Sequence, residues 1–452
     1  MSATKVITRF PPSPTGFMHI GRARTALFNY IFSKQNKGEM VFRFEDTDTE
    51  RSKKEFQTDI IESLQWLGIS YDTGPFWQSQ RTDIYKKYLL KMIDTGFAYV
   101  SKEDPTEADK IEGRTRTEVI RFKNPNKIIT FTDLIRGEIT FDTTDLKDFI
   151  IARSVNEPLY HLAVVVDDFE MGTTHIIRGE DGISNTPRQI LIQEAIGATR
   201  PMYAHLPLIL AKDKSKLSGR HGAVSVKEYR EKGYLPEALI NYLALLGWNP
   251  GTEQEIFSLD ELIREFKIER INKSGAIFNE EKLQWVNKEY IKKIPLAEQT
   301  KLLTQWAPKL DSLDVNTLVK LTPLVFERIS TLGEISQMEK DGDFSYLQST
   351  PSYTFDALLW KGKATPEETA GYLSKIIEIL CLISEKTFDK NTVKEAIWTY
   401  VESVGRGQVL WPMRYALSGL EKSPDPFILT ELLGKKETLN RLNYARDILI
   451  KK

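Results

Sequence analysis

The stretch from Arg9 to Asp48, RFPPSPTGFMHIGRARTALFNYIFSKQNKGEMVFRFEDTD, restricts what this chain can fold into more than any other. Lys5 to Phe10 reads as a short strand stopped by two prolines, since proline cannot donate to a sheet ladder. After a Pro/Ser/Gly turn, His19-Ile20-Gly21-Arg22 opens a helix. Its apolar positions Ala23, Ala26, Leu27, Tyr30 and Ile31 recur at helical spacing, so one face is buried. Gly38 is expected to end that helix as a left-handed cap. Met40 to Phe44 reads as a second strand, running into Glu45-Asp46-Thr47-Asp48. Strand, helix and strand in so short a span make a βαβ unit, with parallel strands and a right-handed crossover. The loop after the first strand then aims free backbone N–H groups and a helix N-terminus at one point, where a phosphate would sit.

A chain of 452 residues is too long for one core, so about two to four domains are expected. With 41% apolar and 28% charged residues, the composition is that of a soluble globular protein. There is no signal-peptide pattern, and no apolar run approaches the roughly 20 residues of a membrane span. A cytoplasmic protein without membrane attachment is therefore expected. The single cysteine, Cys381, excludes an intramolecular disulfide and a Cys-based zinc site. Its place in the apolar run Ile376 to Ile383 predicts a buried, inert thiol. Net charge is −1, so a nucleic-acid surface must come from local clustering.

Helices are expected at Lys53–Leu67 and Arg81–Thr95, capped by Gly68 and Gly96. From Ala98 to about Pro158 the pattern changes to short strands, at Val119–Phe122, Ile128–Phe131, Glu138–Phe141 and Phe149–Arg153. This reads as a small α+β insertion rather than a continuation of the βαβ series. Within it, Lys110 to Lys127 holds six Lys/Arg against two Glu, either a solvated loop or a patch for a phosphate backbone. Leu159 to Leu210 returns to α/β character, with strands at His175–Ile177 and Leu206–Leu210 and a helix at Pro187–Ala195. A basic loop follows; Lys212 to Lys232 carries seven Lys/Arg against three acids. Beyond Val226 the helix candidates are Pro236–Leu246, Leu259–Phe266, Glu280–Tyr290, Pro295–Trp306, Asn316–Ile329, Pro366–Glu385, Lys390–Val404 and Lys435–Ile450. The fold class is thus α/β, a parallel sheet interrupted by an α+β insertion and followed by an all-α C-terminal half.

Two basic elements face the carboxyl end of such a sheet, where ligands bind: His19 beside Gly21 at a helix start, and Lys214 and Lys216 on the later loop. Together they suit a polyphosphate; singly, a capping histidine and a solvated loop are the plainer readings. Neither a Gly-x₄-Gly-Lys-Ser/Thr nor a Gly-x-Gly-x-x-Gly pattern occurs, which argues against the commoner nucleotide folds. Arg9, Glu45 and Arg178 fall at strand ends, where a guanidinium can hold a carboxylate bidentately or simply form a structural Arg–Glu pair. Asp167-Asp168 is expected to serve a turn or a helix cap, as no third acid or His stands at ligand spacing.

Pro12-Ser-Pro-Thr-Gly-Phe-Met-His19-Ile-Gly-Arg22 resembles the HIGH signature of class I aminoacyl-tRNA synthetases. Arg9, the PSPTG that follows and FEDTD (Phe44 to Asp48) resemble the bacterial glutamyl-tRNA synthetase version, and Lys216-Leu-Ser-Gly-Arg220 with His221-Gly222 resembles its KMSKS loop. Similar too are LYHLAVVVDD (Leu159 to Asp168), HIIRGEDGISNTPRQIL (His175 to Leu191), LPEALINYLALLGW (Leu235 to Trp248), VLWPMRYALSG (Val409 to Gly419) and SPDPF (Ser423 to Phe427). The match runs through nearly the whole chain in order.

The resemblance implies a Rossmann-type catalytic domain in two parts, 1–98 and 159–212, around an acceptor-end-binding insertion, 99–158. It implies a stem-contact region, 213–295, and helical anticodon-binding subdomains, 296–350 and 351–452. The implied reaction turns L-glutamate and ATP into glutamyl-adenylate and transfers the glutamyl group to the terminal adenosine of tRNA(Glu). His19 and Lys216 would be the catalytic residues. ATP would also meet Thr15, Gly16, Gly21, Arg22, Asp181, Ile209, Lys214, Ser218 and Arg220. Glutamate would meet Arg9, Pro11, Ser13, Glu45, Tyr160, Val164 and Arg178, with Arg178 or Arg9 reading its side-chain carboxylate. Mg²⁺ is expected with ATP; no protein-held metal, and in particular no zinc, is expected. The family is usually monomeric.

Four positions depart from the commonest pattern. Arg22 replaces the last histidine of HIGH, Gly219 stands for the loop's second lysine, Gly182 replaces a His or Trp near the nucleotide, and Val100 to Glu118 is short and lacks cysteines. Three alternatives follow from the resemblance. A tRNA-queuosine glutamylating enzyme would lack the long C-terminal half. A glutaminyl-tRNA synthetase would carry a β-barrel there. A catalytically silent tRNA-binding paralogue finds support only in Gly219.

Overall fold

Strands β1 (Ile7–Phe10) and β2 (Glu39–Phe44) pair in parallel, Ile7 opposite Glu39 and Phe10 opposite Phe42, and α1 (Ile20–Gln35) crosses between them. The computed structural model describes residues 5–103, 118–218, 224–360 and 363–451, and they divide into two units, Met1–Tyr290 and Ile291–Lys452. Along α1, Ile20, Ala23, Ala26, Leu27 and Ile31 are buried and Tyr30 is half-buried, the expected apolar face. The expected cap is corrected: the left-handed residue is Lys37 (φ 54°), not Gly38. Gly38 is demanded instead by space, because a Cβ there would stand 2.1 Å from the Val6 carbonyl oxygen.

In the first unit the chain continues through α2 (Lys54–Trp66), β3 (Thr73–Trp77) and α3 (Thr82–Asp94). It then makes β4 (Ala98–Lys102), β5 (Glu118–Phe122), β6 (Ile128–Asp133), β7 (Gly137–Asp142), β8 (Phe149–Ser154) and β9 (Glu157–Pro158). Next come α4 (Tyr160–Glu170), β10 (His175–Gly179), α5 (Thr186–Ile196), β11 (Met202–Leu206) and β12 (Ile209–Leu210). The unit ends through α6 (Val226–Glu231), α7 (Pro236–Leu245), α8 (Leu259–Glu265), β13 (Ala276–Ile277) and α9 (Glu280–Ile291).

β3 extends β1–β2 in parallel, and β10 lies on the other side of β1, where Thr174 N–H donates to the Ile7 carbonyl at 2.9 Å. The chain thus leaves β1 toward β2 on one side and reaches β10 on the other, and such a switch point opens a crevice at the strands' carboxyl ends. The segment expected as one insertion divides between two sheets. β4, β5, β8 and β9 form their own antiparallel sheet, whereas the β6–β7 hairpin joins β11 beside β10. Leu134 N–H to the Tyr203 carbonyl, 2.8 Å, secures that junction.

In the second unit, α10 (Leu296–Trp306), α11 (Val315–Phe326), α12 (Gly333–Lys340) and α13 (Ser345–Gln348) are followed by α14 (Pro366–Leu382), α15 (Lys390–Val404), α16 (Arg406–Ser418) and α17 (Pro426–Ile450). Its described residues contain no strand. Helices α14, α15 and α16 all pack on α17, which leaves helical geometry once, at Gly434 (φ 73°, ψ 168°). Cys381 is exposed, correcting the expected buried thiol: α14 turns Leu373, Ile376, Ile377 and Leu380 inward, and helical phase carries Cys381 outward with Leu382. No helix among the described residues is long and apolar enough to cross a membrane.

Candidate active site

At the carboxyl ends of β1 and β10 lies a cavity of about 650 Å³. It gathers Arg9, Pro11, Ser13, Glu45, Tyr160 and Arg178. It also gathers Thr15, Gly16, His19, Gly21, Arg22, Asp181, Ile209 and Lys216. Val164 is not among the lining residues; it sits one helical turn beyond Tyr160 on α4, 2% exposed, in the core that α4 shares with α5. Lys214 and Ser218 do not line the cavity either, and Gly219 and Arg220 lie outside the described residues. Arg24, Thr25, Asn185, Pro207 and Leu208 line it without having been singled out in the sequence.

His19 is the N-cap of α1. Its Nδ1 accepts from Gly21 N–H at 3.0 Å, satisfying one orphan donor of the first turn. Burial, with Arg22 and Lys216 nearby, lowers its pKa, so the ring is neutral and its proton sits on Nε2. The expected capping role is met by one ring nitrogen, and the ring also has a hydrogen bond with the Leu217 backbone. The chain beyond the basic loop is pinned to the same place, with Ile20 N–H donating to the Val224 carbonyl and Val226 N–H to the Met18 carbonyl, both at 2.8 Å. The near side of the loop is held by Leu217 N–H to the Ile209 carbonyl at 3.0 Å. Lys216 Nζ rests 3.4 Å from Asp181 Oδ2, both side chains more than 60% exposed. Such a pair contributes little, and the ammonium can exchange the carboxylate for a phosphate.

Behind the cavity lies a buried ionic network. Arg43, in β2 between Phe42 and Phe44, is wholly buried; its Nη1 donates to Asp168 Oδ1 at 2.7 Å and its Nη2 to Glu45 Oε1 at 3.4 Å. Arg9 Nε donates to the same Asp168 oxygen at 3.3 Å. Asp167 accepts from Arg81 Nε at 2.7 Å, Tyr85 Oη at 2.8 Å and Gln78 Nε2 at 2.9 Å. Asp167 and Asp168 are thus interior residues of α4, not the turn or cap expected of them; buried acids are tolerated here because arginines reach them from three other elements. Burial would raise the Asp168 carboxyl, but Arg43 and Arg9 overcome it and hold it below the carboxylate range. Burial prevails at Glu45, only partly offset by Arg43 and Arg9, and pushes it up to about 7.

The two expected carboxylate readers differ in what they have left to give. Arg178 uses Nε on His205 (3.1 Å), Nη1 on Gln189 (2.8 Å) and Nη2 on both the Gly182 carbonyl (3.0 Å) and Thr186 (2.8 Å). Of five N–H bonds, one on Nη1 remains. Arg9 spends Nε on Asp168 and one Nη1 bond on the Ile177 carbonyl, and its Nη2 has no partner among the described residues. Sequence reasoning missed Arg43, His205 and Asp133, whose Oδ2 lies 2.7 Å from His205 Nδ1. A charged residue inside the apolar strand Met40–Phe44 was the signal available for Arg43; for the other two there was none.

Two family models match the chain. One, described as tRNA synthetases class I (E and Q), catalytic domain, matches residues 5–118 and 103–285; the other, an anticodon binding domain, matches residues 276–446. Glutamate–tRNA ligase 2 of Thermoanaerobacter pseudethanolicus is 39% identical, over 99% of each chain. The glutamate–tRNA ligase of Carboxydothermus hydrogenoformans is 40% identical, over 97% of this chain and 99% of that one. A crystal structure of a glutamate tRNA ligase from Elizabethkingia meningosepticum, in complex with its amino acid, aligns at a TM-score of 0.87 and 33% identity, covering 98% of this chain and 100% of that one.

Proposed function

The chain belongs to the glutamate–tRNA ligases, within the class I aminoacyl-tRNA synthetases, and on that footing we propose how its cavity divides between glutamate and ATP. The enzyme is a ligase that charges tRNA(Glu) with L-glutamate, using ATP. Arg9, Ser13, Glu45, Tyr160 and Arg178 hold glutamate, with Pro11 as wall; His19, Lys216 and the start of α1 hold ATP, together with Thr15, Gly16, Gly21, Arg22, Asp181 and Ile209. The observation that carries this reading is the placement of buried Arg9 and Glu45 in one cavity with a neutral His19 and an exchangeable Lys216.

The glutamate α-carboxylate attacks the α-phosphorus and displaces pyrophosphate. It is already a nucleophile, so no general base is required. What lowers the barrier is stabilisation of charge on the phosphates, from His19 Nε2–H, Lys216 and the α1 N-terminus. A hydroxyl of the terminal adenosine then attacks the acyl carbon and releases AMP. Arg9, with Nη2 open, reads the side-chain carboxylate, and a glutamine amide cannot accept the same charge-assisted pair. Glu45 as carboxylate takes the substrate ammonium. Mg²⁺ would come with ATP and supply positive charge at its phosphates, beside His19 and Lys216. No zinc is assigned. In tRNA binding, residues 99–158 take the acceptor end, 213–295 the stem, and 296–350 with 351–452 the anticodon end. The enzyme is assigned as a cytoplasmic monomer.

The test is glutamate-dependent ATP–pyrophosphate exchange, with and without tRNA. Lys216→Ala should lower the rate at least about tenfold; an unchanged rate would refute the phosphate assignment.

A further inference from the structure

Arg178 is held in place from three directions, by residues that are also tied to one another, since Thr186 Oγ1 donates to the Gly182 carbonyl at 3.1 Å and lies 3.3 Å from His205 Nε2. From one side comes His205 at the end of β11, fully buried, whose Nε2 accepts from Arg178 Nε at 3.1 Å. Since Nε2 is the acceptor, the ring proton must sit on Nδ1, and there it meets Asp133 Oδ2 at 2.7 Å. Asp133 belongs to β6, in the hairpin that joins the parallel sheet through β11. It is 1% exposed and its other oxygen takes the Ile135 and Arg136 N–H groups at 3.0 and 2.9 Å, so the carboxylate has no freedom to turn. Asp133 therefore sets the His205 tautomer, and the tautomer supplies the acceptor for Arg178.

From the second side, α5 contributes Thr186 and Gln189 to the two terminal nitrogens. The third constraint is an absence. A Cβ on Gly182 would stand 2.5 Å from Arg178 Nε, 2.8 Å from Cδ and 3.1 Å from Cζ. A side chain there requires the arginine to shift, and Nε, which donates to His205, is the atom it meets first. With glycine at 182 the guanidinium lies across the turn and donates to that residue's own carbonyl at 3.0 Å.

We propose that His205, oriented by Asp133, and Gly182 are positioning residues that clamp Arg178 so that it offers glutamate one fixed Nη1–H. Four of its five donors are committed to the protein, so Arg178 acts as a rigid single-donor wall and leaves bidentate reading to Arg9. The two positions act on one arginine in different ways: His205→Leu removes its Nε acceptor, and Gly182→Ala crowds its stem. This inference rests on the assignment of Arg178 to glutamate.

The experiment measures KM for glutamate, KM for ATP and kcat in pyrophosphate exchange with tRNA present, for the full-length enzyme and four variants. His205→Leu and Gly182→Ala should each raise KM for glutamate about tenfold or more, the loss of a hydrogen bond to a charged group. KM for ATP should stay within about twofold, and His205→Gln, which restores an acceptor, should lie between parent and His205→Leu. Thermal unfolding identifies any variant that fails to fold; if His205→Leu does, Gly182→Ala decides. Glutamate KM values within about twofold of parent in folded variants, or equal losses for both substrates, would overturn the proposal. Arg178→Gln separates the two readings: if it raises the glutamate KM while the positioning variants do not, the clamp is wrong and the Arg178 assignment stands. If Arg178→Gln leaves that KM unchanged, the assignment itself is wrong and the clamp falls with it.

Discussion

Asp168→Asn tests the network that shapes the glutamate half of the cavity. The Asp168 side chain is 5% exposed, and one of its oxygens receives Arg43 at 2.7 Å and Arg9 at 3.3 Å. Three arginines, Arg9, Arg43 and Arg81, face three acids, Asp167, Asp168 and Glu45. Asparagine keeps the volume and one acceptor but removes one negative charge, leaving a buried guanidinium uncompensated. Breaking a buried pair costs about 3–5 kcal/mol, and the retained acceptor places this case near the low end, about 3 kcal/mol. With a urea slope of about 1–3 kcal/mol/M, the unfolding midpoint of the full-length protein should fall by roughly 1–3 M. Because Arg9 is oriented through the same oxygen, KM for glutamate should rise about tenfold while KM for ATP holds. A midpoint within about 0.3 M of parent, with an unchanged glutamate KM, would refute the argument that Asp168 carries two arginines at once.

His19→Asn separates the two jobs of that side chain. Asparagine is a good N-cap, so stability should stay within about 1 kcal/mol, while loss of the Nε2–H donor should slow exchange about a hundredfold; equal activity would reduce His19 to a cap. The pH profile reports Glu45. Its carboxyl, raised by burial to about 7, must be ionised to take the substrate ammonium, so kcat/KM for glutamate falls as pH drops through about 7. Glu45→Gln should lower kcat/KM and flatten that limb, whereas a profile identical to parent would remove Glu45 from the site.

The fold and the cavity were legible to different depths for physical reasons. Local signals carried far: a period-3.6 apolar face located α1, and Gly68 and Gly96 ended helices in left-handed geometry as their positions suggested. Where several conformations satisfy the same local pattern, the reading slipped. Gly38 and Lys37 are neighbours at a helix end, and only the approach of Val6 decides which needs to be glycine. Helix α16, which contains Pro412, was not anticipated. Asp167-Asp168 looked like chain-turning residues because their partners, Arg9, Arg43 and Arg81, come from distant segments. Val164 follows Tyr160 by one turn, yet burial separates them, the first in the core and the second on the cavity wall. The motif residues His19, Lys216, Arg9, Glu45 and Arg178 do meet at one cavity. Which of the two arginines keeps donors free is written only in their hydrogen bonds.

The measurement that bears most directly on the account is ATP-dependent charging of tRNA(Glu) with labelled glutamate and, separately, with glutamine, by the parent enzyme and Arg9→Gln. The parent should attach glutamate and reject glutamine. Arg9→Gln should lose glutamate charging by about a hundredfold or more, since a buried charge-assisted pair is removed, and should narrow the gap between the two amino acids. Undiminished glutamate charging with full rejection of glutamine by Arg9→Gln would contradict it.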